Sequence, residues 1–222
     1  MEFDDRALLV DDTLVVADLH VGTEASSVEL PLGERADLVD RLAALLVRHD
    51  PRTVAFAGDL LDSFGSIPRG VPETVQELTA TVREAGARVV ATPGNHDQML
   101  AGLWPDPTTA EYAVEPDTVV LHGHEPPETD ARRYVVGHEH PTIEIEGQRR
   151  PCYLVGEQAV GEVVMLPAFT HLVRGVDVGR MRTHEFQSPL VTDADALRPV
   201  VWDADAAEPV SFPPLGEFRG LL

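Results

Sequence analysis

Five short clusters of Asp, Asn and His constrain this chain most strongly, because each cluster directly follows a short apolar segment. Apolar, β-branched runs of this length predict buried strands, here Leu14–Ala17, Thr53–Ala57, Arg88–Thr92, Thr118–Leu121 and Tyr134–Val136. The clusters behind them are Asp18-Leu19-His20, Gly58-Asp59-Leu60-Leu61-Asp62, Pro93-Gly94-Asn95-His96-Asp97, His122-Gly123-His124 and Gly137-His138-Glu139-His140. The carboxyl ends of strands in an α/β sheet form the crevice where ligands bind, so the five clusters are expected to converge there.

Two segments with helical periodicity separate the first three of these strands. They are Glu34–His49, closed by Pro51, and Val71–Ala85, closed by Gly86. The order strand, helix, strand, helix, strand predicts parallel strands with the helices packed outside them. From about Glu111 the pattern changes to short strand-like runs, which predicts a mostly antiparallel or mixed sheet. The stretch from about Asp193 is rich in Asp, Ala and Pro, and the sequence leaves its order open.

Composition limits the class of protein. The 222 residues are 43% hydrophobic, which is enough for a full core. The single cysteine, Cys152, excludes an internal disulfide and a Cys-rich metal site. The acidic N-terminus does not resemble a signal peptide, and no apolar run approaches the ~18 residues that span a bilayer. We therefore expect one cytoplasmic domain over residues 1–222, with a motif core at 14–140 and a C-terminal sheet and tail at 141–222.

The charge balance is unusual. There are 38 acidic residues against 17 basic ones, all of which are Arg, and the net charge is −21. So strong a charge repels itself unless salt screens it. Many acids, no Lys and 5% aromatic residues resemble the composition of proteins from salt-accumulating microbes. An acidic protein of ordinary cytosol is the alternative.

The residue types in the clusters indicate a metal site. Carboxylate, amide oxygen and imidazole are together the ligand set for Mn²⁺, Fe²⁺ or Zn²⁺. Each cluster alone has an ordinary explanation, such as a helix cap for Asp59 or a turn at Gly94-Asn95. All five in one order, each behind an apolar strand and together holding six of the nine His residues, favour a functional site.

The motifs Asp18-x-His20, Gly58-Asp59-x-x-Asp62, Gly94-Asn95-His96-Asp97, His122 and Gly137-His138-x-His140 resemble the ordered signature of calcineurin-like metallophosphoesterases. No ligand position is substituted. Two later segments, 150–156 and 166–169, resemble an archaeal subgroup of SbcD-related or PdeM-like phosphoesterases. With the strand order, the resemblance predicts an α/β fold, a four-layer α/β/β/α sandwich of two mixed sheets.

The resemblance implies two divalent metal ions, expected to be Mn²⁺, with Fe, Zn or Ni as alternatives. Asp18, His20, Asp59 and His140 would hold one ion, and Asp59, Asn95, His122 and His138 the other. Two such ions activate a bridging hydroxide for attack on a phosphodiester, and clamp the phosphoryl oxygens. His96 would protonate the leaving group as general acid, and Asp62 would hold its other ring nitrogen.

Several residues keep alternative interpretations. His124 could line the substrate mouth or be exposed, and Asp97 could bond a ligand His or cap a helix. Arg132-Arg133 and Arg149-Arg150 could bind a substrate phosphate, although pairing with Asp or Glu is favoured in so acidic a chain. His49, His171 and His184 lie outside the motifs and are predicted to be surface or structural residues.

The leading functional hypothesis is a phosphodiesterase acting on small diesters, nucleotides or DNA ends, because the net charge disfavours a broad phosphate-binding surface. Alternatives are a phosphomonoesterase for small substrates, a non-catalytic protein-binding scaffold of the same fold, and a regulatory metal domain of a partner nuclease. Scaffolds of this kind lose ligands or the catalytic His, and here all are present.

Overall fold

The computed structural model describes residues 1–23, 33–62, 67–114 and 116–220. Its helices are α1 (Glu34–His49), α2 (Val71–Glu84) and the short α3 (Leu215–Phe218). Its strands, in chain order, are β1 (Glu2–Asp4), β2 (Ala7–Val10), β3 (Thr13–Val16), β4 (Thr53–Ala57), β5 (Arg88–Thr92), β6 (Glu111–Val114), β7 (Thr118–Leu121), β8 (Arg133–Val136), β9 (Pro141–Ile145), β10 (Gln148–Pro151), β11 (Tyr153–Gln158), β12 (Gly161–Met165), β13 (Val176–Asp177), β14 (Arg198–Asp203) and β15 (Glu208–Ser211). Within these residues no helix is long and apolar enough to cross a membrane.

The first sheet has the order β1-β2-β3-β4-β5. Its strands β3, β4 and β5 are parallel, and α1 and α2 form the crossovers between them, as the strand–helix alternation predicts. The N-terminal strands extend the sheet, because β2 pairs antiparallel with β3 and β1 pairs antiparallel with β2. The first three polar clusters therefore leave the same edge of this sheet.

The second sheet has seven strands in the order β15-β14-β11-β12-β8-β7-β6. It is mixed, as predicted: β7, β8 and β12 are parallel, while the outer pairs are antiparallel. The last two polar clusters follow the parallel strands β7 and β8. A small third sheet, β10-β9-β13, continues from the cluster at His138 and His140.

Three apolar cores separate four layers. One core packs α1 and α2 against the first sheet, around buried residues such as Leu42 and Phe56. A second fills the space between the two large sheets, with Val15 from one and Val164 from the other. A third covers the outer face of the second sheet and includes Phe218. The predicted sandwich of two mixed sheets is confirmed.

The outer layer on the second sheet differs from the expected flanking helices. It consists of the small third sheet, α3 and one-turn 3₁₀ segments at Val178–Arg180, Thr183–Glu185 and Ala194–Ala196. The sequence beyond residue 165 has frequent Pro and Gly and no long run with helical periodicity, so only short turns form there.

The stretch after Asp193, whose order the sequence left open, is folded onto the second sheet. Strands β14 and β15 form its edge, and Leu197 and Leu215 are fully buried. The turn between these strands is rich in exposed Asp and Ala, so the composition of this stretch does not reveal the two strands.

Residues 166–169 join the two large sheets beside the polar clusters. The Leu166 N–H donates to the carbonyl of Val136 at the end of β8, and the Phe169 N–H donates to the carbonyl of Ala17 just after β3. Arg41 donates to the Phe169 carbonyl at 2.7 Å, and its guanidinium lies 4.2 Å from the centre of the Phe169 ring. This segment holds the strand ends of both sheets in register.

Candidate active site

The five clusters meet where the strand ends of the two large sheets face each other. Backbone hydrogen bonds join neighbouring loops directly: the N–H of Asp18 donates to Gly58, the N–H of His20 to Asp59, and the N–H of Gly137 to His122. The structure brings together in this one region all nine residues to which the sequence gave a metal-binding or catalytic role, and four of them, Asp18, His20, Asp59 and His122, are buried.

Glycines in three of the clusters make this close approach sterically feasible. A Cβ on Gly58 would lie 2.1 Å from Nδ1 of His122, and one on Gly94 would lie 2.2 Å from the Asp59 carboxylate. A Cβ on Gly137 would lie 2.6 Å from the Asp18 carboxylate. Each glycine therefore leaves room for a polar side chain of a different strand end.

The backbone is strained at the same place. Ten described non-glycine residues have positive φ, and five of them are Asp18, His20, Asp59, His138 and His140. Each such conformation costs on the order of 1–3 kcal/mol and persists only where surrounding contacts enforce it. Concentration of this strain at one set of polar side chains is typical of a functional site.

One group of donor atoms comes from Asp18, His20, Asp59 and His140. The Nε2 atoms of His20 and His140 lie 3.0 Å apart, and Nε2 of His140 lies 3.5 Å from Oδ2 of Asp18. The Asp18 carboxylate is fully buried and also accepts the backbone N–H of His138 at 2.9 Å.

A second group comes from Asp59, His122 and His138, with Asn95 beside them. Nε2 of His122 lies 3.0 Å from Oδ1 of Asn95 and 3.1 Å from Nδ1 of His138. Oδ2 of Asp59 lies 3.5 Å from Nε2 of His122 and 4.0 Å from Nε2 of His20. One oxygen of Asp59 therefore lies between the two groups.

Burial and mutual charge set the protonation of these groups. Burial lowers the pKa of His20 and of His138 to about 4 and that of His122 to about 3, so the three imidazoles are neutral. Burial, reinforced by the charge of Asp18, raises the pKa of Asp59 to about 7. Burial opposes ionisation of Asp18 too, but the histidines around it, His140 above all, hold its pKa below the usual value.

His96 and Asp62 lie at the edge of this arrangement. His96 is about a quarter exposed, and its backbone N–H donates to Oδ1 of Asp59 at 3.0 Å. Its Nδ1 lies 3.6 Å from Oδ1 of Asp62, which is a contact longer than a hydrogen bond. The same Asp62 oxygen lies 3.8 Å from Nδ1 of His20, so Asp62 stands between two imidazoles.

Asp97 has neither of the two roles weighed for it in the sequence. Its carboxylate accepts the backbone N–H groups of Leu60, Leu61 and Gly94 at 2.9–3.2 Å. It therefore fastens the loop of Asp59 to the loop of Asn95, because unpaired backbone donors at two buried strand ends need an acceptor.

His124 is partly buried rather than exposed. It lines a cavity of about 260 Å³ beside His122, together with Pro93 and Glu128. Its Nδ1 is buried and makes no hydrogen bond within the described residues.

The two arginine pairs differ in their partners. Arg132 pairs with Asp117 at 2.9 Å and Arg133 with Glu162, as favoured from the sequence. Arg149 instead donates to the Gly175 carbonyl, and Arg150 to the side chain of Gln148. For this second pair the predicted carboxylate partner was wrong, since among the described residues no acid lies within ion-pair distance of either guanidinium.

The histidines outside the motifs stay outside the site. His49 is held by the buried carboxylate of Asp4 at 2.8 Å, His171 lies near Asp37 at the surface, and His184 is exposed.

Sequence reasoning gave no role to Glu139, although it lies between two of the clustered histidines. Its burial to 3% exposure is the unexpected feature, and no pattern in the sequence distinguishes it from a solvent-exposed Glu.

The sequence is similar to one known protein family. Residues 12–116 match the model of the family described as calcineurin-like phosphoesterase. The chain is a metal-dependent phosphoesterase, and its similarity to the calcineurin-like family extends over these residues, just under half of its length. The matched residues include the first three polar clusters, and the last two clusters lie beyond them. No curated protein matches this phosphoesterase significantly.

One solved structure similar to this chain is that of the Pseudomonas putida nuclease MPE. It is 24% identical, with a TM-score of 0.62, and the match covers 95% of this phosphoesterase and 99% of that chain. This likeness shows a common fold. The E. coli phosphoesterase Yfce is 16% identical over 91% of this chain and 98% of that one, with a TM-score of 0.46.

The donor set of the phosphoesterase fits divalent metal ions. Imidazole nitrogens that approach one another to 3.0–3.1 Å and lie close to carboxylates are arranged as ligands of a shared cation. The mixture of O and N donors without thiolate suits Mn, Fe, Zn or Ni ions.

The close approach at Gly58 can be tested against a matched glycine. Gly58 has φ +78° and Gly147 has φ +73°, but a Cβ on Gly147 would meet nothing within 4 Å. We expect Gly147→Ala to lower the free energy of unfolding in urea by about 1–2 kcal/mol, the cost of the left-handed backbone. Gly58→Ala should lose a further ~1–3 kcal/mol by overpacking against His122. Equal losses would contradict the steric role of Gly58.

Proposed function

We propose that this phosphoesterase hydrolyses phosphodiesters with two divalent metal ions, for which Mn²⁺ is the first candidate. The position of Asp59 Oδ2 between two groups of His, Asp and Asn donors supports the proposal most directly. Carboxylates shared between two ions are the usual basis of two-metal phosphoryl chemistry.

We assign one ion to each of the two donor groups. Asp18, His20, Asp59 and His140 would hold one ion, and Asp59, Asn95, His122 and His138 the other. The neutral imidazoles need lose no proton on binding, and Asn95 adds an oxygen ligand without another negative charge. When bound, the two ions supply Lewis acidity to the phosphoryl oxygens and lower the pKa of a water.

His96 is proposed as the proton donor to the leaving group. It is more exposed than the donors behind it, and its backbone is fixed to Asp59, so its ring borders the space next to the donor groups. Asp62, 3.6 Å from Nδ1, would orient the ring, leaving Nε2 to carry the transferred proton.

The proposed substrates are small phosphodiesters, nucleotides or DNA ends. Arg132 and Arg133 are already paired with acids, so they leave no phosphate-binding pair there. A net charge of −21 also opposes a long nucleic-acid track. The fold neighbour MPE is described as a nuclease, which agrees with diester chemistry, and the resemblance to SbcD-related and PdeM-like proteins points the same way.

A substrate panel tests this proposal. Protein loaded with Mn²⁺ should hydrolyse bis-p-nitrophenyl phosphate faster than p-nitrophenyl phosphate, with single-stranded DNA as the third substrate. The reverse ranking would establish the alternative, a phosphomonoesterase. Two bound ions with no activity on any of the three would support a protein-binding scaffold instead.

His96→Ala separates catalysis from metal binding. The variant should keep both ions and lose about 10²–10⁴-fold in kcat on an alkyl phosphodiester, because the proton for the leaving group is missing. The loss should be smaller for a p-nitrophenyl ester, whose leaving group needs no proton, and Asp62→Asn should give a milder defect.

The exposed His184 supplies the control, since His184→Ala should retain wild-type rates. Wild-type rates for His96→Ala on both esters, with metal retained, would remove the proton-donor role.

We also propose that the chain is adapted to high salt, from its 38 acids, 17 Arg and absence of Lys. Screening weakens repulsion among these acids, so Tm should rise as KCl goes from dilute to molar. A flat or falling Tm over that range, measured by calorimetry, would remove this proposal and leave the phosphoesterase assignment unchanged.

A further inference from the structure

We propose that Glu139 and Ser188 are positioning residues that hold His122, His138 and His140 in place for metal binding. The inference rests on the proposed two-metal function. Neither residue offers a donor atom to the two groups described above, so both would act through the loops that carry the histidines.

Glu139 lies between His138 and His140, yet its side chain points away from the donor groups into the protein. It is 3% exposed, and Oε2 accepts the backbone N–H of Gln187 at 3.0 Å and that of Ser188 at 3.3 Å. A buried carboxylate is tolerated only where such donors replace water. The two N–H groups therefore fix where Glu139 can lie.

Ser188 continues the connection to a second histidine loop. It is 2% exposed, and its Oγ donates to the carbonyl of Gly123 at 2.7 Å. Gly123 directly follows His122, whose own carbonyl accepts the N–H of Gly137 at 3.0 Å. Residues 187–188 are thus bonded on one side to the loop of His122 and on the other to the loop of His138 and His140.

Backbone strain explains why the loop of His138 and His140 needs this additional restraint. His138 and His140 have φ of 75° and 49°, values that a non-glycine residue keeps only under restraint. Glu139 is the residue between them, and its anchored carboxylate ties this loop to residues 187–188, in addition to the contacts that the two imidazoles make with His122 and His20. Its loss should let the loop relax to ordinary backbone angles and move both imidazoles.

The two residues should affect the two ions differently. Glu139 restrains His138 and His140, which belong to different donor groups, so its removal should weaken both ions. The Ser188 hydroxyl restrains only the loop of His122, so its removal should weaken the ion held with Asn95 and His138 and spare the other.

Calorimetric titration of metal-free protein with Mn²⁺ tests this difference. Wild type should bind two ions. Ser188→Ala should weaken one of the two by about tenfold or more and leave the other unchanged, as supporting hydrogen bonds around metal ligands typically contribute 10–100-fold. Glu139→Ala should weaken both, and Glu139→Gln, which keeps an oxygen acceptor for the two N–H groups, should recover most of the affinity.

Asp4→Ala is the matched control. Asp4 is equally buried at 3% exposure and is held by His49 and Arg48, away from the histidine loops, so the variant should lower Tm and keep both affinities. Wild-type affinities in Ser188→Ala and Glu139→Ala, with Tm lowered as in Asp4→Ala, would overturn the positioning role. If Glu139→Ala does not fold, Ser188→Ala decides alone. A wild type that binds no Mn²⁺ would overturn the proposed function as well.

Discussion

The carboxylate of Asp59 lies where the strand ends of two sheets face each other, and the other polar groups are arranged around it. Its burial and the nearby charge of Asp18 raise its pKa to about 7, so two adjacent carboxylates are costly here unless cations compensate them. Burial keeps the imidazoles of His20, His122 and His138 neutral, so they supply no positive charge to balance the two carboxylates. Only at His140, among these histidines, does the charge of Asp18 raise the pKa. This local electrostatic imbalance is the physical reason for a metal site in this position.

Bringing five loops together around one carboxylate requires local features that would be unfavourable elsewhere. Glycines at positions 58, 94 and 137 remove the Cβ atoms that would collide with His122, Asp59 and Asp18. Five of the polar residues also adopt positive φ, which adds backbone strain at the same place. The two sheets beneath supply the stability that offsets this strain, through a shared apolar core and the hydrogen bonds of Leu166 and Phe169 to both strand ends.

The sequence predicted the elements that carry the site because their signals are local. Runs such as Thr53–Ala57 and the periodicity of Glu34–His49 correspond to β4 and α1 without any shift of their ends. Other elements depend on tertiary pairing. Strand β14 contains Pro199, which weakens its strand signal, and it forms by pairing with Tyr153 and Leu154 of β11. The role of Asp97 and the burial of Glu139 were missed for the same reason, since their partners lie in distant loops.

The central claim is that one carboxylate, that of Asp59, is shared by two metal ions, and elemental analysis of wild type and Asp59→Ala tests it most directly. Both proteins are loaded with Mn²⁺, freed of unbound metal and checked for cooperative unfolding before measurement. The account predicts about two ions per chain in the wild type and none in Asp59→Ala, because both donor groups lose their common oxygen. A folded Asp59→Ala that retains one full equivalent of Mn²⁺ would contradict it.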